Sequence, residues 1–169
     1  MIEKTLHDLV KKTAEMFPNV VLPRTIYVEA DSVDIEAGAT YYQHPDTIII
    51  DYRTIEYLSH SVPQFRKSFL WKALAHELGH MIAAHNFQRK IKHAWVDPEY
   101  YAYLFQRSLG ISIRDLEPPE ESEKQMRIWR KVKRISRDEA KSILKETFEE
   151  EKRRRAYEGF LEELRRYRR

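Results

Sequence analysis

The residues with the clearest chemical potential lie in one pentapeptide, His76-Glu77-Leu78-Gly79-His80. Two histidines four positions apart point the same way from a helix, one turn apart, and can offer two imidazole nitrogens to one zinc ion. Glu77 is rotated from His76 by about 100° around the helix, so we expect its carboxylate beside the metal rather than on it. A carboxylate there can accept a proton from water activated by the metal, which is the chemistry of metal-assisted hydrolysis.

A tetrahedral zinc site needs a third protein ligand, and the residues leave two candidates open. Glu99 lies in the predicted first turn of the next helix, where an antiparallel return of the chain could bring it over the metal. His93 lies in the loop before that helix. His85 would point about 140° away from His80 around the same helix, so we interpret it as a structural or surface residue.

The pattern of the first 116 residues predicts the elements that position these side chains. Apolar residues at helical spacing predict a helix over 2–17. A long helix over 64–88 contains both histidines, and a second helix begins at Asp97-Pro98 and ends at Leu109-Gly110. Short β-branched and aromatic runs predict three strands, the last two as a hairpin: Thr25–Ala30, Ala39–Gln43 and Thr47–Tyr52. This order of elements predicts an α+β fold.

Residues 117–169 differ in charge from the rest of the chain. They contain 17 Lys and Arg against 13 Asp and Glu, so the net charge of +3 derives from this part. Three apolar stripes at helical spacing predict a helical extension, and we place a boundary near Glu117, between a catalytic domain of 1–116 and an extension of 117–169. The extension could be a solvated helix, could cover the metal site or form a dimer, or could bind nucleic acid through its basic clusters, which are Lys131–Arg134, Arg153–Arg155 and Arg165–Arg169.

The composition excludes several classes of protein. The absence of cysteine excludes a disulfide scaffold, a cysteine nucleophile and a thiolate metal site. No uncharged apolar run approaches the roughly 18 residues of a membrane span, and the first residues do not resemble a secretory signal. We therefore expect a cytoplasmic protein that does not associate with membranes. Two Asn beside abundant Lys, Arg and Glu are a composition typical of thermophile proteins.

With these elements in place, the chain resembles the zincin metallopeptidases, and more narrowly the gluzincins. The order of helix, three-stranded sheet, His-Glu-x-x-His helix and glutamate helix is similar to that of the archaeal minigluzincins. The stretch Ala75–His85, followed by Glu99, Ala102 and Phe105, resembles the ImmA/IrrE-type zinc peptidases. The resemblance covers about residues 25–110.

The resemblance implies a zinc-dependent metallopeptidase with a zincin-like fold that acts on peptide or protein substrates. It implies Zn²⁺ bound by His76, His80 and Glu99, with Glu77 as the catalytic carboxylate. It also implies a peptide extended along an edge strand, supplied by Tyr41–Tyr42 or Ile48–Ile50. A Tyr or His that stabilises the oxyanion is expected among Tyr100, Tyr101, Tyr103 and His93.

Two alternatives to a gluzincin stay open. The SprT-like DNA-associated proteases take their third ligand from a histidine in the loop before a helix, which is the place of His93 here. A zinc-binding interaction module, inactive or latent, could instead act through the basic extension on a protein or nucleic-acid partner. A metzincin is excluded, because Ala83 and Asn86 occupy the places of the glycine and the third histidine of its longer motif. Neither the substrate nor the oligomeric state follows from these patterns.

Overall fold

The structure is a computed structural model that describes residues 2–31, 39–42, 46–51, 63–87, 97–114, 117–118 and 120–168. The described elements are helices and short strands: α1 (Ile2–Met16), β1 (Tyr27–Asp31), β2 (Ala39–Tyr42), β3 (Thr47–Asp51), α2 (Pro63–Phe87), α3 (Pro98–Ser108), α4 (Glu123–Val132) and α5 (Arg137–Tyr167). The fold is therefore mixed α+β and mostly helical, and the predicted α+β class is confirmed.

The sheet has β3 in its centre. β3 runs parallel to β1 and antiparallel to β2, so that the described strands lie in the order β1-β3-β2. The prediction that Ile48–Ile50 supplies a free edge was wrong, because both sides of β3 are paired and Ile48 and Ile50 are fully buried. The edge beside α2 belongs to β2, which contains Tyr41–Tyr42.

Local sequence signals fix both ends of α3. The Asp97 side chain accepts a hydrogen bond of 3.0 Å from the backbone N–H of Glu99, and Pro98 occupies the first turn. At the other end Gly110 has a φ of 80°, a conformation that favours glycine, and its N–H donates to the carbonyl of Arg107 at 2.9 Å. Glu99 is thereby held in the first helical turn.

One hydrophobic core includes residues from both sides of position 117. Its members include Leu9, Phe17, Leu74, Leu104, Trp129, Val132, Leu144 and Phe148. The ring of Phe148 on α5 contacts those of Phe17 and Phe87, with centroids 5.3 and 5.2 Å apart. Helix α4 and the first half of α5 therefore pack in the same core as the metal-motif helix α2. The domain boundary near Glu117 stays a prediction.

Helix α5 is long, and its two halves differ in environment. Its buried residues are Ala140, Leu144, Phe148 and Glu151, all in the first half. Beyond them the helix continues to Tyr167 with mostly exposed side chains. None of the helices among the described residues has the length and apolar character needed to cross a membrane.

Candidate metal centre

Three side chains from two helices converge on one point. Nε2 of His76 lies 3.2 Å from Nε2 of His80. The two carboxylate oxygens of Glu99 lie 3.0 Å from these nitrogens, Oε2 near His76 and Oε1 near His80. Among the described residues, this is the group of His and acidic side chains that could hold a metal ion.

The separations within this cluster fit a small tetrahedral cation. Ligand atoms about 2.0–2.1 Å from a tetrahedral zinc ion lie about 3.3 Å from one another. The observed separations of 3.0, 3.0 and 3.2 Å are close to that edge length. The donor set of two imidazoles and one carboxylate suits zinc and is also used for ferrous iron, so the cluster could hold a metal ion and its donor set does not identify which metal.

The approach of α3 to α2 depends on two small residues. A Cβ atom placed on Gly79 would lie 2.8 Å from the Cα of Ala102, a separation that real Cβ atoms essentially never show. Gly79 sits between the two histidines, and Ala102 lies nearly one turn after Glu99. The backbones of the two helices therefore touch beside the cluster, and this contact brings Glu99 within reach of the imidazoles.

A buried glutamine fixes the orientation of His76. The amide nitrogen of Gln106 donates to the backbone carbonyl of Lys72 at 3.0 Å. Because a carbonyl only accepts, Gln106 turns its own oxygen toward His76, where Oε1 lies 3.0 Å from Nδ1. Nδ1 therefore carries a proton, and Nε2 faces the cluster, which is the arrangement that outer contacts give to metal-ligating histidines.

The electrostatics of the cluster couple its three members. Burial alone would lower the pKa of His76, but the hydrogen bond and negative charge of Glu99 outweigh it and raise that pKa above the ordinary value. Burial would raise the pKa of Glu99, but hydrogen bonds from His76 and His80 and their charges bring it far below its usual range. The cluster therefore favours an ionised Glu99 carboxylate beside a protonated His76, and a metal cation bound there would replace a proton.

Glu77 is the carboxylate beside the cluster. It is 7 % exposed, and its pKa is raised by burial, against the opposing influence of the charges on His76 and His80. The nearby charge of Glu99 raises it further. A buried acid with a raised pKa beside a cluster that could hold a metal ion is a candidate for a group that exchanges protons with a substrate.

The tyrosines considered as oxyanion donors differ in what they contact. The ring of Tyr103 packs edge-on against His76 with centroids 5.1 Å apart, and its pKa is raised by burial and by the charge of Glu99. Tyr101 instead contacts Phe87 with tilted rings whose centroids are 4.5 Å apart, and burial raises its pKa to about 12. Tyr100 lies under the ammonium group of Lys131. Tyr103 is therefore the member of this set that contacts the cluster.

Two other predicted residues have different outcomes. His93 lies outside the described residues, so its role as third ligand or oxyanion donor stays a prediction. His85 is not part of the cluster: its Nε2 lies 2.7 Å from Oδ1 of Asp46, which also accepts a hydrogen bond of 2.5 Å from the hydroxyl of Tyr41. These contacts tie Tyr41 of β2 and Asp46, which precedes β3, to the last turn of α2.

The sequence predictions missed Gln106 and Gly79. Gln106 lies seven residues after Glu99, two turns along the same face of α3. A polar side chain on that face of a largely apolar helix was the signal that could have revealed it. The close contact at Gly79 was not predicted, although glycine inside a helix is unfavourable and so points to such a contact.

Comparison of the chain with protein families, with curated proteins and with solved structures finds no match.

Proposed function

We propose that this protein is a zinc-dependent metallopeptidase of gluzincin type. The observation that carries the proposal is the convergence of His76, His80 and Glu99, with the buried carboxylate of Glu77 near enough to interact electrostatically with all three. A structural zinc site would close all four ligand positions with protein groups. Among the described residues three ligands converge, which leaves a fourth position for substrate or water, and the carboxylate of Glu77 can accept and return a proton during hydrolysis.

Zinc in this cluster would act as a Lewis acid on the peptide carbonyl and would lower the pKa of water to about 7. The remaining steps belong to residues of the chain. A carboxylate oxygen of Glu77 accepts the proton of the attacking water and then donates it to the nitrogen of the leaving amine. Its raised pKa supports this exchange, because an acid closer to neutrality both takes up and releases a proton readily.

Tyr103 is the candidate that stabilises the negative oxygen formed during attack. Burial and the neighbouring Glu99 raise its pKa, so its hydroxyl stays protonated at neutral pH and can donate a hydrogen bond. The ring contact with His76 keeps the side chain at the cluster. A single such donor contributes about 100-fold to 1,000-fold to catalysis in well-studied hydrolases.

Strand β2 is the candidate binding edge for an extended peptide. It lies at the edge of the described sheet, beside α2, and runs antiparallel to β3. A peptide can add to such an edge through main-chain hydrogen bonds. The contacts among Tyr41, Asp46 and His85 hold β2 against α2. A peptide bound along β2 would therefore lie at a fixed distance from the cluster.

The test compares the zinc-loaded protein with Glu77→Gln on a mixture of fluorogenic peptides. We expect Glu77→Gln to retain one zinc ion per chain and to lose cleavage by at least about 100-fold, because the amide cannot accept the proton. Glu121→Gln makes the same change at an exposed position outside the cluster and should cleave like the wild type. Wild-type rates in Glu77→Gln would contradict the proposal.

Alanine substitution separates the two candidate third ligands. If Glu99→Ala loses zinc and His93→Ala keeps it, the gluzincin assignment is supported. The opposite result would move the assignment to the SprT-like proteases. Zinc retained together with complete inactivity of the wild type on every peptide would favour the interaction module.

Nucleic-acid binding by the extension stays a prediction with less support. Arg153 and Arg154 pair with glutamates of the same helix, and Arg155 donates to backbone carbonyls at the end of α2. A basic cluster already engaged in these contacts has fewer free charges for phosphates. Salt-dependent DNA binding by the full chain that is lost on charge reversal at Arg165–Arg166 would support this prediction.

A further inference from the structure

The distal half of α5 carries an apolar stripe that the described part of the chain does not cover. We call the residues Tyr157, Phe160, Leu164 and Tyr167 the distal stripe. Their exposed fractions are 63, 56, 42 and 89 % in that order. Large apolar side chains grouped along one exposed helix face are typical of interaction surfaces.

The spacing of the distal stripe is that of a two-stranded coiled coil. Its members are separated by three, four and three residues, which are the a and d positions of successive heptads. The face of α5 that packs on the body contains Leu144, Phe148 and Glu151. The distal stripe is rotated from that face by roughly 170°, so a partner helix can lie against it without meeting the body of the protein.

The charges that flank the stripe define an orientation for the partner. With Tyr157 at position a, Glu163 occupies position g and Arg168 the following e position. In a parallel pair, g of one helix faces the next e of the other, so Glu163 meets Arg168 of the second helix, twice by symmetry. In an antiparallel pair, e meets e and g meets g, which brings like charges together.

We propose that a second copy of this chain covers the distal stripe, and that two copies form a short parallel coiled coil over residues 156–168. The pair ends N-terminally because Glu150 and Arg153, the preceding a and d residues, are charged. Thirteen residues span about 20 Å, which is short for a stable interface. The dimer is therefore weak, with a dissociation constant on the order of micromolar. The proposal does not depend on the metal or on peptidase activity.

Sedimentation velocity of the full chain tests the association, from about 1 µM to about 500 µM. The wild type should pass from monomer to dimer over this range. Phe160→Glu should raise the dissociation constant more than about tenfold, because it places two charges in the core of the pair. Glu162→Arg, on the opposite flank of the helix, should leave the dissociation constant within about twofold. A wild type that stays monomeric throughout, or a dimer insensitive to Phe160→Glu, overturns the proposal.

A charge swap tests the parallel orientation. Glu163→Arg and Arg168→Glu should each raise the dissociation constant by about threefold to tenfold, since each places like charges opposite one another. The double variant exchanges the two charges and should restore the wild-type constant. A double variant as weak as the single variants would exclude the parallel pair. Unchanged circular dichroism of all variants establishes that the helix itself is intact.

Discussion

Replacing Gln106 should weaken metal binding although Gln106 contributes no ligand atom. Gln106→Met keeps a similar volume and removes both the bond to His76 Nδ1 and the bond to the Lys72 carbonyl, each 3.0 Å long. His76 can then rotate or adopt the other tautomer. Loss of such an outer contact lowers metal affinity by about 10-fold to 100-fold. Gln106 is fully buried, so the substitution should also lower the free energy of unfolding by about 1–3 kcal/mol.

The assay is competition for zinc against a chromophoric chelator, with unfolding of the metal-free protein measured in parallel. Thr13→Val is the matched control, because it removes a buried hydrogen bond from the Thr13 hydroxyl to the Leu9 carbonyl on α1. This control should lose about 0.5–1.5 kcal/mol of stability and keep its zinc affinity. A Gln106→Met protein with wild-type zinc affinity would refute the role assigned to this side chain.

Three further predictions concern the packing of α2, the charge of His76 and the contribution of α4 and α5 to the core. Gly79→Ala should lower the free energy of unfolding by about 1–3 kcal/mol and should also lower zinc affinity, because the new Cβ meets the backbone of α3. The control Gly159→Ala, whose Cβ would lie in open space, should raise the free energy of unfolding by about 0.5–1 kcal/mol, with both variants measured by thermal unfolding. Because the pKa of His76 is raised, the metal-free protein should be fully stabilised by this group below about pH 6.5 and should lose that stability as the pH rises through the raised pKa. The gain in melting temperature on adding zinc should increase over the same pH range, because zinc then no longer competes with a proton. A chain of residues 1–116 should fail to unfold cooperatively, since it lacks part of the core, and a chain of residues 1–156 should unfold within a few degrees of the full protein and bind zinc.

The metal motif and the ends of α3 could be predicted because their signals are local. Two histidines four positions apart lie on the same face of any helix that contains them. Asp97, Pro98 and Gly110 mark the start and the end of α3 through short-range backbone preferences. These signals were enough to place Glu99 in a first turn. They did not decide between Glu99 and His93 as the third ligand, because that choice depends on how α3 packs against α2.

The missed features depend on contacts between distant parts of the chain. Gln106 acquires its role only when α3 lies against the carbonyl of Lys72, 34 positions earlier in the chain. The position of Ile48–Ile50 in the centre of the sheet depends on a parallel pairing with β1 that no turn between neighbouring strands specifies. Likewise, the charge pattern of residues 117–169 did not predict that Trp129 and Phe148 pack in the same core as α2.

Zinc K-edge X-ray absorption of the protein loaded with one equivalent of zinc tests the central claim most directly. The account predicts one bound zinc with two imidazole ligands and oxygen ligands at about 2.0–2.1 Å, and a changed spectrum in Glu99→Gln. Three imidazoles per zinc, a spectrum unaffected by Glu99→Gln, or a protein that binds no zinc would contradict a metal centre built from His76, His80 and Glu99.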